Sequence, residues 1–141
     1  MANNLPSSCK VVVIGGGVAG CSTAYHLAKF GWKDTVLLER DVLTSGTTWH
    51  AAGLIGQLGS SATITKLRNY SLNLYKQLET ETELSTGLKQ NGSLTVATTS
   101  DRLEELKRQV TFAQRFEIEA KEVSKDEIRE IYPLINTNDL V

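Results

Sequence analysis

The Gly-x-Gly-x-x-Gly pattern of Gly15, Gly17 and Gly20 is the part of this chain best suited to hold a ligand. The first glycine permits a tight turn, the second lets the backbone approach a pyrophosphate, and the third lets a helix pack close to a strand. A helix that starts here directs free amides and its positive end at phosphates. Glu39, nineteen residues after Gly20, can accept hydrogen bonds from ribose hydroxyls. The pattern therefore predicts a dinucleotide site.

The flanking elements agree with this prediction. The apolar run Lys10–Ile14 predicts a buried strand, Val18–Phe30 predicts a helix, and Thr35–Leu38 predicts a second strand that ends at Glu39. The motif alone is a weak signal, because glycine-rich turns are common, but the complete βαβ context favours a dinucleotide. Glu39 would repel a 2′-phosphate, which favours FAD or NAD over NADP. The motif does not separate FAD from NAD.

Residues 41–56 are rich in Gly, Ser, Thr and Ala and contain the pair Trp49-His50. Small residues permit a close approach between backbone and ligand, and hydroxyls can donate to phosphate. A connecting loop would explain the glycines and serines but not a Trp-His pair among so many small residues.

Composition and charge exclude several classes of protein. The chain has 141 residues and a net charge of -1, so it has no basic footprint for nucleic acid. No apolar run reaches membrane-spanning length. The polar leader at residues 1–8 resembles neither a secretory signal nor a transit peptide, which favours a mature or cytoplasmic protein. Cys9 and Cys21 are expected to be unpaired reduced thiols, and His26 a structural histidine.

The rest of the chain predicts a helix over Ile64–Glu83, a strand over Leu94–Thr98, a helix from Ser100, a short strand over Ile118–Val123 and a capped helix from Ser124. These elements contain too few strands for a doubly wound sheet. We therefore expect an α/β fold that is truncated here, with the missing strands in residues outside this sequence. The predicted domains are residues 9–85, the N-terminal part of a cofactor domain, and residues 86–141, the start of a substrate domain.

Five segments resemble the sarcosine dehydrogenase and dimethylglycine dehydrogenase family, within the amino-acid-oxidase-like (DAO) FAD oxidoreductases. They are Val11–Gly20, Leu37–Arg40, Leu43–Leu54, Asn91–Leu94 and Ile131–Asn136. The Thr-Trp-His-Ala-Ala-Gly stretch is far more specific than the glycine motif. Thr44–Thr48 and Gln57-Leu58 are slightly closer to the sarcosine type.

The resemblance implies a Rossmann-like FAD-binding opening of a two-domain DAO fold, with FAD joined covalently to His50 through its 8α-methyl group. It also implies an N-methylated glycine as substrate, which loses a hydride to flavin N5. An electron-transferring flavoprotein and tetrahydrofolate are further expected partners. Eukaryotic relatives are mitochondrial, whereas a bacterial protein would be cytoplasmic. This segment by itself is expected to be inactive.

Motif and resemblance together name the expected cofactor-binding residues and leave the catalytic ones unassigned. The expected residues are Gly15, Gly17, Val18, Ala19, Gly20, Glu39, Arg40, Ser45, Gly46, Thr47, Thr48, His50 and Gly53. Two alternatives stay open, which are a related FAD oxidase that reduces oxygen and a regulatory relative that has lost the chemistry. A regulatory relative should lack the histidine at position 50.

Overall fold

The computed structural model describes residues 5–141. Strand β1, helix α1 and strand β2 span Val11–Ile14, Val18–Lys29 and Thr35–Leu38, and a 3-10 helix spans Thr47–His50. Helices α2, α3 and α4 span Ala62–Thr82, Ser100–Gln114 and Lys125–Ile131. The chain divides into two compact units, one up to Leu54 and one over Ile55–Val141, and each is described by itself.

The first unit is the βαβ arrangement that the sequence predicts. Strands β1 and β2 are parallel, with Val11 opposite Thr35 and Ile14 opposite Leu38. Their β-branched and leucine side chains suit a pleated sheet, and α1 supplies the crossover that a parallel pair requires. The predicted α/β class with its βαβ opening is confirmed.

The prediction of a buried first strand is wrong for one of its two faces. Val13 faces α1, since its Cγ1 would lie 3.5 Å from a Cβ placed on Gly20. Val12 and Ile14 point the other way and are 50% and 86% exposed. No element among residues 5–54 covers that face, and Gly16 is the one buried residue in this range. Strand β1 therefore carries more apolar side chains than this unit buries.

The second unit is helical, and each of its helices has a side-chain N-cap. Ser61 accepts from the Ile64 amide, and Thr99 from the Arg102 amide. Ser124 and Glu127 form the predicted reciprocal capping box at α4. The buried apolar side chains of this unit are Leu72, Ala97, Ala113, Ile118, Ile128 and Leu140.

The two later strands are not formed. Residues 94–98 and 118–123 have the apolar content of strands, yet in residues 5–141 only β1 and β2 pair. A strand requires a hydrogen-bonded neighbour, and the segment 94–98 has a single bond of this kind, from the Val141 amide to the Ala97 carbonyl (3.0 Å). The helix predicted over 64–83 forms over 62–82, because Ser61 caps it earlier than its apolar pattern indicates.

Two predictions are not tested by the described residues. The division at residue 85 concerns the domains of a complete protein and stays a prediction, and the polar leader lies partly outside the described residues. Within residues 5–141, no helix combines the length and apolar character needed to cross a bilayer.

Candidate functional site

The glycine turn between β1 and α1 takes the shape that its motif predicts. Gly15 has φ +100°, in the region that favours glycine, and its amide donates to the Leu38 carbonyl (2.8 Å), which extends the strand pairing. A Cβ on Gly20 would lie 1.8 Å from the Gly15 carbonyl oxygen. Helix and strand can therefore approach this closely only because position 20 has no side chain.

Three backbone amides at this turn are without an acceptor in residues 5–141. The first bond of the α1 ladder runs from Cys21 to the Gly17 carbonyl (2.9 Å), and the Val18 amide is taken by a side chain. The amides of Gly17, Ala19 and Gly20 have no such partner. Free amides at a helix N-terminus attract anions. The turn thus fits the pyrophosphate of a dinucleotide.

The Glu39 carboxylate lies beside this turn. Its Oε2 accepts from the Gly16 amide (2.6 Å), and its Oε1 accepts from the amides of Arg40 (2.7 Å) and Asp41 (3.2 Å). These donors, the Gly16 amide above all, hold the pKa of the Glu39 carboxyl below its ordinary value of 4.5. A carboxylate has about four lone-pair sites, so an ionised Glu39 keeps acceptor capacity for ribose hydroxyls.

Gly16 is a site residue that the motif did not identify. A Cβ at this position would meet Leu43 Cδ2 at 2.5 Å and Glu39 Cβ at 3.1 Å. Its carbonyl accepts from the Thr44 amide (2.9 Å), and Thr44 adopts φ +66°. The motif treats position 16 as variable, but three glycines in a row already indicate a close approach by other atoms.

His50 ends the 3-10 helix and is exposed. Its Nδ1 lies 3.0 Å from the Gly46 carbonyl oxygen, which can only accept, so Nδ1 holds the ring proton. The lone pair of the neutral ring is then on Nε2. The Trp49 ring lies 4.1 Å from the His50 ring between centroids, and its Nε1 donates to the Ser45 carbonyl (3.0 Å). The imidazole is thus held on one side while Nε2 stays open to a ligand.

Thr48 joins this 3-10 helix to the glycine turn. Its Oγ1 accepts from the Val18 amide at 2.9 Å and would lie 3.1 Å from a Cβ on Gly17. The segment with the Trp-His pair therefore packs on the N-terminus of α1.

The structure brings most of the predicted site residues together, with two exceptions. Glu39 bonds to Gly16 of the glycine turn and Thr48 bonds to Val18, while His50 lies in the same 3-10 helix as Thr48, directly after Ser45 and Gly46. Arg40 takes part through its backbone amide. Thr47 and Gly53 have no hydrogen bond to these groups among the described residues, and Gly53 adopts φ +71°.

Other thiol, imidazole and guanidinium side chains donate to backbone carbonyls. Cys9 and Cys21 are unpaired, and the Cys21 thiol donates to the Gly16 carbonyl (3.3 Å). His26 Nδ1 donates to the Ser22 carbonyl (2.6 Å) inside α1. Arg68 donates to the Leu58 carbonyl, which closes the loop before α2. No cluster of metal-ligating side chains occurs in the part of the chain that the structure describes.

Comparison with known families and proteins agrees with this geometry. The sequence model of the family described as "DAO: FAD dependent oxidoreductase" matches residues 10–141. Human mitochondrial sarcosine dehydrogenase is 47% identical over 137 residues, which are 96% of this chain and 15% of that protein. Rat mitochondrial dimethylglycine dehydrogenase is 42% identical over 132 residues, 94% of this chain and 15% of the relative.

A third relative is named as a regulatory subunit. The mouse mitochondrial pyruvate dehydrogenase phosphatase regulatory subunit is 43% identical over 137 residues, 97% of this chain and 16% of that protein. The chain therefore spans about 15% of the length of the curated relatives it matches.

A solved structure shares the fold. Glycine oxidase from Bacillus cereus ATCC 14579 superposes with a TM-score of 0.72 at 25% identity, over 95% of this chain and 38% of that one.

Proposed function

The chain belongs to the DAO family of FAD-dependent oxidoreductases, and we propose that the complete protein is a dehydrogenase that oxidises an N-methylated glycine. Sarcosine is the first substrate to test and dimethylglycine the second. The relative identities, 47% and 42%, support this order.

One observation carries the proposal. In the glycine turn that holds the free amides, the Gly16 amide donates to Glu39 and the Val18 amide donates to Thr48, in the segment that also holds His50. A dinucleotide that places its pyrophosphate at the amides and its ribose at Glu39 is thereby fixed at one end. An exposed imidazole follows within a segment that packs on the same turn.

The residues of this chain would bind and orient the cofactor. The amides of Gly17, Ala19 and Gly20 would donate to phosphate oxygens, and Glu39 would accept from ribose hydroxyls. His50 Nε2 would form the covalent link. The bound FAD would supply a two-electron acceptor that takes a hydride from the N-methyl carbon of the substrate. The catalytic residues, including the group that binds the substrate carboxylate, are not assigned to this segment.

The proposed partners and location rest on the family resemblance. Electron-transferring flavoprotein would reoxidise the enzyme, and tetrahydrofolate would accept the one-carbon unit. We propose a mitochondrial location if the source is eukaryotic and a cytoplasmic one if it is bacterial.

The experiment uses the complete protein with FAD. Oxidation of sarcosine, dimethylglycine and unmethylated glycine is measured with an artificial electron acceptor and, separately, with an oxygen electrode. We expect sarcosine to be oxidised fastest, glycine not at all, and oxygen to be consumed slowly. Rapid oxygen consumption would instead identify an oxidase.

The same experiment also tests the regulatory alternative. The 43% identity to a phosphatase regulatory subunit gives this alternative a specific basis. The presence of His50 favours the enzyme, because a relative without flavin chemistry does not require a linking imidazole. A complete protein that binds FAD but turns over none of the three amines would favour regulation.

A further inference from the structure

We propose that Thr48 is a positioning residue for His50, whose hydroxyl fixes where the imidazole lies relative to the bound cofactor and so sets the rate of covalent attachment. This inference rests on the covalent link at His50 proposed above.

Thr48 contacts the first turn of α1 directly. Its Oγ1 accepts from the Val18 amide at 2.9 Å, and Val18 is the first residue of α1. The N-cap residue, Gly17, has no side chain and makes no side-chain capping bond. The bond from Val18 to a hydroxyl thirty residues along the chain therefore ties two distant segments together.

The Thr48 hydroxyl fits closely against the glycine turn. A Cβ on Gly17 would lie 3.1 Å from Thr48 Oγ1, closer than side chains ordinarily approach. The glycine that opens the turn to a pyrophosphate therefore also makes room for the hydroxyl. Phosphate binding and the position of the 3-10 helix thus depend on the same backbone.

The 3-10 helix links the position of Thr48 to that of His50, two residues later. The Thr48 carbonyl accepts from the Ala51 amide (3.2 Å), and His50 Nδ1 donates to the Gly46 carbonyl (3.0 Å). Residues 46–51 thus form one hydrogen-bonded turn, so a shift at Thr48 moves the imidazole with it.

Attachment demands this precision. One bond forms between His50 Nε2 and the 8α-methyl carbon of the flavin, and one C–H bond of that methyl group breaks. One proton leaves the methyl carbon and one leaves His50 Nδ1. The electron pair of the broken C–H bond would reduce the flavin ring, which would take up the two released protons. Dissolved oxygen would then accept two electrons and two protons in the reoxidation and leave as hydrogen peroxide. A displacement of about 1 Å in such a step costs about 100-fold in rate.

The test follows attachment in the complete protein prepared without flavin. FAD is added over a range of concentrations, and acid-stable flavin is measured against time for wild type, Thr48→Val, Thr48→Ser and Thr111→Val. Thr111 is the matched control, an exposed helical threonine whose hydroxyl donates to the Lys107 carbonyl (3.2 Å) in α3.

We expect Thr48→Val to lower the limiting rate of attachment about 10- to 100-fold while the half-saturating FAD concentration changes less than about threefold. Thr48→Ser keeps the hydroxyl and should attach FAD nearly as wild type does, and Thr111→Val should be unaffected. In the flavin-free protein, amide exchange over residues 44–51 should be faster in Thr48→Val than in Thr48→Ser.

Three results would overturn the inference, and they are distinguishable. Attachment by Thr48→Val at the wild-type limiting rate removes the positioning role while the covalent link stands. Equal slowing by Thr48→Ser shows that the hydroxyl is not what matters. A wild-type protein that releases all its flavin in acid shows instead that the proposed link at His50 is wrong.

Discussion

The Gly16 amide donates to Glu39 Oε2 at 2.6 Å, which joins the middle of the glycine turn to the end of β2. Gly16 is buried, and a side chain there would collide with Leu43 and Glu39. The acidic residue that would hold the ribose is therefore oriented by the turn that would hold the pyrophosphate. The two halves of the predicted dinucleotide site form one hydrogen-bonded structure.

Replacing Glu39 should weaken FAD binding. We expect Glu39→Ala to raise the dissociation constant for FAD roughly 10- to 100-fold, because hydrogen bonds to a charged acceptor are lost. Titration in a His50→Ala background keeps binding reversible. Glu105→Gln is the control, since this exposed carboxylate bonds to Arg102 and Gln109 within its own helix. An unchanged dissociation constant in Glu39→Ala would refute the assignment.

Glu39 should also contribute a stability that depends on pH. The folded state holds the pKa of this carboxyl below its ordinary value of 4.5, with the Gly16 amide as the main cause. The ionised group therefore stabilises the fold above pH 4.5, and this stabilisation is lost as the pH falls through the lowered folded pKa.

Unfolding of the complete protein by urea measures this contribution. The free-energy difference between wild type and Glu39→Gln should be constant near neutral pH and shrink below pH 4.5. The pKa values of Glu79 and Glu127 are also lowered, by hydrogen bonds from Thr86 and from Ser124. Both groups are present in both proteins, so their effects cancel. A difference that does not vary with pH would contradict the role of the charge.

The fold of the first unit could be predicted because the sequence features that specify it lie close together along the chain. The turn, α1 and β2 depend on glycines and apolar runs within residues 11–39, and these residues contact one another. The strands predicted over 94–98 and 118–123 do not form. A strand needs a neighbouring strand to pair with, and the composition of a segment does not show whether such a neighbour is present. The apolar residues of these two segments, such as Ala97 and Ile118, are buried among helices and loops of the second unit instead.

The candidate site could be predicted only in part from the sequence, for a similar reason. The spacing from Gly20 to Glu39 identified residues on both sides of the turn, but Gly16 acts by leaving space for Leu43. Thr48 was expected to meet the cofactor, and its bond to Val18, thirty residues away, has no sequence signature. Contacts between distant segments require the folded backbone.

Gly20 should tolerate no side chain. In Gly20→Ala the new Cβ would lie 1.8 Å from the Gly15 carbonyl oxygen, a backbone atom that cannot turn aside. We expect the complete protein to lose at least about 1–3 kcal/mol of unfolding free energy, the usual cost of overpacking, measured by urea denaturation.

Gly56→Ala is the matched control for Gly20→Ala. A Cβ at Gly56 would meet only Arg68 Nη1, at 4.0 Å. We expect a change within about 0.5 kcal/mol there. If both substitutions have the same effect, the close packing of α1 on β1 is not what Gly20 provides.

The covalent link, if it forms at His50, should use Nε2. The Gly46 carbonyl accepts from Nδ1, and the Trp49 ring covers one face of the imidazole at 4.1 Å between centroids. The neutral ring can therefore attack only with the lone pair on Nε2. A flavin peptide cleaved from the complete protein should show this substitution in its imidazole carbon and proton NMR shifts. His50→Ala should bind FAD but release it in acid. A flavin peptide substituted at Nδ1 would mean that the bond to Gly46 breaks before attachment, and a flavin attached to another residue would exclude His50.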